Sequence, residues 1–261
     1  MKILFLGDIV GNPGREIIEK QLWDIRKKED INFVIANGEN SAGGSGVTPK
    51  IAEELFSSGV DVLTSGDHIW KKREIYEFLE RSDRLLRPLN YPRGVPGKGF
   101  SVIEINGLER MAVINILGRV FMDAVDCPFA AVREVIEKIK EQTPVIVVDF
   151  HAEATSEKVA MGWYLDGAVS AVIGTHTHIQ TADEKILPQG TAYITDCGMT
   201  GPYDSVIGRK KENIIARFLT HLPNRFEVAS EGVEMHGVIV EVDEKTGKAL
   251  GIRRVQQKEK K

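Results

Sequence analysis

The sequence predicts a layered α/β protein. Two observations carry that expectation. Short apolar, β-branched runs alternate with amphipathic stretches, in the order β-α-β-α-β over the first quarter of the chain. The composition, 42% apolar and 28% charged over 261 residues, is that of a globular chain able to bury a sizeable core, and it excludes disorder and low-complexity polymer. No repeat, linker or shift in composition interrupts it, so one domain over 1–261 is expected.

Ile3–Leu6 reads as a buried strand, followed by a Gly/Asn/Pro turn. A helix is predicted from about Pro13, because proline suits a first turn and Ile18, Leu22 and Ile25 share a face. Asn32–Ala36 is the second strand and ends in a polar, Gly-rich loop from Asn37 to Thr48. Pro49 opens another helix. Val60–Leu63 is a third strand, running into Ser65-Gly66-Asp67-His68. The prolines and glycines between Arg87 and Lys98 predict loop. Phe100–Ile105 and Met111–Leu117 pair around the turn dipeptide Asn106-Gly107. Val132, Val135, Ile136 and Ile139 make a helix face. Val145–Val148 delivers Asp149-Phe150-His151, and a helix near Ser156–Leu165 follows. Val169–Ile173 delivers Gly174-Thr175-His176-Thr177-His178, and Ala192–Thr195 delivers Asp196-Cys197-Gly198. A helix over about Lys211–His221 and two strands complete the chain. All the apolar helix faces are accounted for by the core, so no surface patch stands out.

Composition narrows the function. Two cysteines, Cys127 and Cys197, exclude a disulfide scaffold and a Cys-rich zinc module. A net charge of -4 argues against duplex nucleic acid as a partner. The basic tail Lys258-Glu259-Lys260-Lys261 reads as a frayed end. No apolar run approaches the roughly 18 residues of a membrane span, and Ile3–Leu6 is too short for a signal-peptide core, so a cytoplasmic location is expected. A homo-oligomer is expected from base rates alone.

Chemistry gathers where apolar strands end. Asp8, Glu39, Asp67, His68, His151, His176 and His178 all fall there, and in open α/β sheets those ends form the ligand crevice. Singly, such an aspartate is a helix cap or turn former, and such a histidine a satisfied polar group. Together the carboxylates repel, and cations are the natural compensation. Imidazole and carboxylate without thiolate suit iron, manganese or zinc better than calcium. On a loop just past a strand, His176 and His178 can both turn inward, each toward one of two metals about 3.5–4 Å apart. His221 and His236 read as structural. Other motifs fail: there is no Gly-x-Gly-x-x-Gly, no phosphate loop ending in Gly-Lys-Ser/Thr and no Gly-x-Ser-x-Gly, and Gly43-Gly44-Ser45-Gly46 alone is weak evidence for phosphate binding.

Gly7-Asp8, Gly66-Asp67-His68, Asp149-Phe150-His151 and Gly174-Thr175-His176-Thr177-His178 resemble the motifs of the calcineurin-like metallophosphoesterases. More narrowly, the chain resembles the bacterial YmdB-like branch over nearly its whole length. Gly7-Asp8-Ile9-Val10-Gly11, Asn37-Gly38-Glu39-Asn40, Arg87-Pro88-Leu89-Asn90-Tyr91-Pro92, Asp149-Phe150-His151-Ala152-Glu153 and Asp196-Cys197-Gly198-Met199-Thr200-Gly201 carry that resemblance. It implies a four-layer α/β/β/α sandwich with a dinuclear centre at the C-terminal edge of the strands. Asp8 and His178 would bind the first metal, Glu39 would bridge, and Asp67, His151 and His176 would bind the second, together with the Asn40 oxygen. His68 would be the proton donor. The substrates implied are small phosphodiesters, 2′,3′-cyclic nucleotides among them.

Three positions depart from the wider superfamily. Val10 stands where a ligating histidine is usual, and Glu39 replaces a bridging aspartate; both fit the branch. Asp67 stands where asparagine is usual before the proton-donor histidine. Its extra negative charge would tighten metal binding and weaken attraction for a doubly charged monoester, unless it is simply an equivalent one-oxygen ligand.

The mechanism this implies is attack on phosphorus by a metal-bridged hydroxide, with His68 protonating the departing oxygen. Arg87, Asn90, Tyr91 and Arg119 lie in loops that could frame the substrate. Asp196 and Asp204 are candidate carboxylates for orienting histidines. Two other classes stay open: a metal-binding regulatory or scaffold protein with residual phosphodiesterase activity, and a metal-dependent hydrolase of C–N bonds.

Overall fold

The computed structural model describes residues 1–105 and 109–259, so the turn expected at Asn106-Gly107 and the last two tail lysines lie outside the described residues. The chain opens with β1 (Lys2–Leu6), β2 (Asp8–Ile9), α1 (Gly11–Glu29), β3 (Phe33–Asn37), α2 (Pro49–Ser57), β4 (Val62–Thr64), a 3-10 turn at Asp67–Lys71 and α3 (Ile75–Arg81). Its middle carries β5 (Phe100–Ile105), β6 (Glu109–Leu117), α4 (Pro128–Ile139), β7 (Ile146–His151), α5 (Thr155–Tyr164) and β8 (Ala171–Thr175). It ends with β9 (Lys185–Ile186), β10 (Ala192–Ile194), β11 (Met199–Pro202), α6 (Lys211–Thr220), β12 (Val233–Val242) and β13 (Ala249–Lys258).

Two sheets form. One runs β2-β11-β12-β1-β3-β4, with β13 also paired to β12; the other runs β5-β6-β7-β8-β10-β9. Alternation along the strands makes four layers. Ile3 and Phe5 of β1 meet Val147 of β7 and Ile173 of β8 in a core between the sheets. Leu4 and Leu6 point the other way, into a core with Ile18 and Leu22 of α1 and Leu55 of α2. On the far side, Ile114 and Val148 pack on Val132 and Ile136 of α4 and Met161 of α5. Period-two strands buried on both faces thus give the α/β/β/α sandwich that the resemblance implies.

Helix α1 starts at Gly11, two residues ahead of the expected Pro13. Proline is tolerated there because the first N–H groups of a helix have no intrahelical acceptor. Helix α2 begins as expected: the Thr48 hydroxyl caps the Ile51 N–H and Pro49 follows. Helix α6 corrects an expectation. Its buried residue is Ile214, whereas Ile215, Phe218 and Leu219 are exposed, so this apolar stripe is not covered by the core. No helix among the described residues is long and apolar enough to cross a membrane.

Candidate metal centre

Both sheets deliver residues to one edge. Asp8 lies in β2, Glu39 follows β3, Asp67 follows β4, His151 ends β7, and His176 and His178 follow β8. The last two adopt left-handed backbone, with φ of 98° and 66°. That conformation is uncommon outside glycine, and here it keeps both imidazoles on the cluster side of a single short loop.

Glu39, Asp67, His151 and His176 each offer a ligand atom within 4.8 Å of the others. His151 Nε2 lies 2.9 Å from His176 Nδ1, 3.3 Å from Glu39 Oε1 and 3.5 Å from Asp67 Oδ1. Beside this group, His178 Nε2 lies 3.7 Å from Asp8 Oδ1, and Asp8 Oδ1 lies 3.8 Å from His151 Nδ1. Asn40 sits next to His178 rather than Asp67: its Nδ2 is 3.3 Å from His178 Nε2 and donates to Glu39 Oε1 at 3.0 Å. Its oxygen is 2.8 Å from His68 Nδ1.

Groups outside the cluster hold the rings. His151 Nδ1 faces the Thr175 hydroxyl at 2.8 Å, and that hydroxyl donates to the buried Asp149. Burial pushes the Asp149 carboxyl up to about 6. His178 Nδ1 donates to the Ile207 carbonyl at 3.0 Å, and His176 Nε2 lies 3.3 Å from Glu153. Asp196 acts one step removed from the histidines. It accepts from the Thr177 N–H and hydroxyl and from the buried Lys158, so it anchors the loop between His176 and His178. Asp204 corrects an expectation: it pairs with Lys211 at the surface instead of orienting a histidine.

The donor set fits metal ions. Asp8 Oδ1 and Asp67 Oδ1 are buried with no hydrogen-bond donor, a costly state unless another cationic partner is supplied. Burial disfavours charge on Glu39, but His151 and His68 beside it hold it well below the usual carboxylate range. Burial likewise opposes a charged His151, yet Glu39, Asp67 and Asp8 push it well above the usual imidazole value. The cluster already draws positive charge toward its carboxylates. A Cβ on Gly66 would collide with Glu39 Oε2 and His151 Nε2, so the backbone there leaves room only for ligand atoms.

The remaining candidates lie further out. Arg87 donates to the Pro88 and Leu89 carbonyls. The Asn90 amide is fully engaged with the backbone of Leu117 and Asp126. Tyr91 packs edge-on against Trp70, and burial with nearby Asp67 raises its hydroxyl to about 12. Arg119 is exposed, 3.6 Å from the Cys127 sulfur. His236 is structural, stacked on Tyr203 at 4.1 Å and paired with Glu234. His221 closes α6 in left-handed backbone. Cys197 is buried between the sheets. Sequence reasoning passed over Asp149, Glu153, Thr175 and Ile207 as orienting groups. Asp149 and Glu153 stand in the same motif as His151, and Thr175 in that of His176 and His178, the one signal that could have drawn attention to them; Ile207 had none.

Comparison with known proteins places the chain in a family. The chain is 51% identical over 255 residues to the 2′,3′-cyclic-nucleotide 2′-phosphodiesterase of Bacillus subtilis (strain 168), covering 98% of this chain and 96% of that protein. The crystal structure of a hypothetical protein from Thermus thermophilus superposes with a TM-score of 0.93 at 42% identity, covering 100% of both chains. A Mycoplasma pneumoniae protein described as a novel phosphatase also gives 0.93, at 37% identity, covering 99% of this chain and 93% of that one. The family model of YmdB-like proteins matches residues 4–255, and the chain belongs to that family.

Proposed function

We propose that the protein is a dinuclear metal-dependent phosphodiesterase acting on small phosphodiesters, 2′,3′-cyclic nucleotides in particular. The observation that carries this reading is the convergence of three carboxylates and three imidazoles, with His68 at their open side. Asp8 and His178 would hold one metal, Asp67, His151 and His176 the other, with Glu39 between them. Iron or manganese suits this donor set, and zinc is compatible with it. Such ions supply Lewis-acid charge to the phosphoryl oxygens and lower the pKa of a bound water to about 7.

The chain's own groups do the rest. His68 Nδ1 is fixed by Asn40 and by Glu39 at 3.3 Å, Nε2 lies 3.6 Å from Asp67 Oδ2, and the residue lines the cavity. The Glu39 contact pushes this imidazole above its usual value against the opposing effect of burial, which favours the protonated form that a general acid needs. Asn40 thus serves as the positioning residue of the acid. The named activity of the Bacillus subtilis relative supports a diester substrate. The test is hydrolysis of 2′,3′-cyclic AMP by protein stripped of metal and then reloaded with manganese or iron. Activity should vanish and return; activity indifferent to metal would sink the reading. His68→Ala should keep its metal while kcat falls by about 10²–10⁴-fold. Loss of metal with turnover would make His68 a ligand instead.

A further inference from the structure

The cavity at the metal cluster is not polar throughout. It encloses about 520 Å³, within the usual range for a small-molecule site. Glu39, His68 and His178 line one end; Ile214, Phe218 and Phe226 line the other. Ile207 joins the two. Its carbonyl accepts from His178 Nδ1 while its side chain lines the cavity. It does so at φ 47°, a conformation that a β-branched residue rarely adopts and that persists only where surrounding contacts fix it.

The apolar end is unusual for a surface. Phe218 is 75% exposed and Phe226 45% exposed, and neither ring stacks on another among the described residues. Both line the same cavity as Glu39, His68 and His178 of the proposed reacting centre, so a group attached to the bound phosphodiester reaches them. The polar groups at that end are two guanidinium groups. Arg209 is held by the Gly43 and Gly44 carbonyls and Arg217 by the His221 carbonyl at 2.7 Å. The carboxylates and the side-chain amide of the lining, Glu39, Glu153 and Asn40, lie against His68 and His176 of the cluster, which leaves the aromatic end without them to read a base edge.

We infer that this apolar end is a stacking subsite for the nucleobase, with Phe218 and Phe226 as its walls and Ile207 tying its position to the metal centre. The inference rests on the phosphodiesterase reading and deepens it. A subsite built of aromatic surface selects on stacking area: it takes purines ahead of pyrimidines and does not demand one base. Base–aromatic stacking is a sequence-tolerant mode of recognition for this reason.

The experiment compares 2′,3′-cyclic AMP with a base-free analogue, the 2,3-cyclic phosphate of methyl riboside, in wild type, Phe218→Ala, Phe226→Ala and Leu219→Ala. Leu219 is on the same helix as Phe218, 79% exposed, and outside the cavity lining. The ratio of kcat/KM for the nucleotide over the base-free diester should fall about tenfold in each phenylalanine variant, largely through KM, and stay near wild type in Leu219→Ala. Phe218→Trp should restore it. A ratio unchanged in both phenylalanine variants, or lowered equally in Leu219→Ala, overturns the subsite. So does a set of variants that instead all shift the sedimentation of the protein, which would make the patch a contact between copies. If wild type hydrolyses neither diester, the phosphodiesterase reading fails by itself. The subsite is then decided by calorimetric titration with 3′-AMP and inorganic phosphate. A tenfold preference for 3′-AMP that disappears in Phe218→Ala upholds it, and equal affinities overturn it.

Discussion

Gly66 is where backbone, rather than side chain, makes the metal cluster possible. Any Cβ there would occupy the space of Glu39 Oε2 and His151 Nε2, and both atoms belong to buried groups that cannot swing away. Gly66→Ala should therefore lower the unfolding temperature and also reduce metal content to a fraction per chain. Elemental analysis beside calorimetry separates the two effects; full metal occupancy in the variant would show that the ligands have slack. The convergence at this edge was legible in the sequence because each cluster residue stands within a few positions of the end of an apolar run, and strand ends of neighbouring βα units must meet. The orienting groups were less legible. Thr175 serves His151 across 24 residues and Ile207 serves His178 across 29, contacts that only strand pairing and loop geometry bring about. Asn90 shows the opposite limit. A polar residue in a loop reads as available, yet its amide is taken up by backbone groups that would otherwise be buried without partners.

Among the elements, α5 does more than cover the sheet. Its Lys158 is 1% exposed and donates to the fully buried Asp196 at 2.8 Å, and Asp196 in turn holds Thr177 between the two loop histidines. Removing one member of such a pair leaves a charge buried alone, at a cost of about 3–5 kcal/mol. Lys158→Met should lower stability by that order in denaturant unfolding and also weaken metal retention, because the His176–His178 loop loses its anchor. Lys158→Met with Asp196→Asn should recover part of the stability but not the metal affinity. Equal recovery of both would mean that Asp196 does not position the loop. From the sequence, a lysine inside an amphipathic helix reads as a solvated group, so this pair was invisible. The order of the longer strands and helices was readable, with boundaries shifted by up to three residues. The elements passed over, α3, β2, β9 and β11, are short, of two to seven residues, and carry too few apolar positions to show a period.

For the whole molecule, the sandwich stands on a core between the sheets that belongs to neither alone. Period-two strands buried on both faces announced a sheet with cover on each side, but not how many layers; that came from the resemblance, because a buried strand face looks the same whether a helix or a second sheet covers it. Cys197 offers a probe of that inner layer. It lies fully buried among Ile3, Phe5, Ile173 and Val238, residues of both sheets, and burial, with Asp196 and Asp8 nearby, pushes its thiol well above the usual range. The thiolate is the reactive form, so Cys197 is protected twice: by access and by protonation. Cys127 is half-buried at the start of α4. A thiol reagent should therefore modify one cysteine per native chain promptly and the second only as the sheets separate. The denaturant dependence of that slow reaction should equal the slope of global unfolding, since opening the inner core exposes the apolar faces of both sheets at once. A slow phase with a much shallower slope would show instead that the β10–β11 junction opens locally, leaving the inner core intact while the metal loop above it comes free.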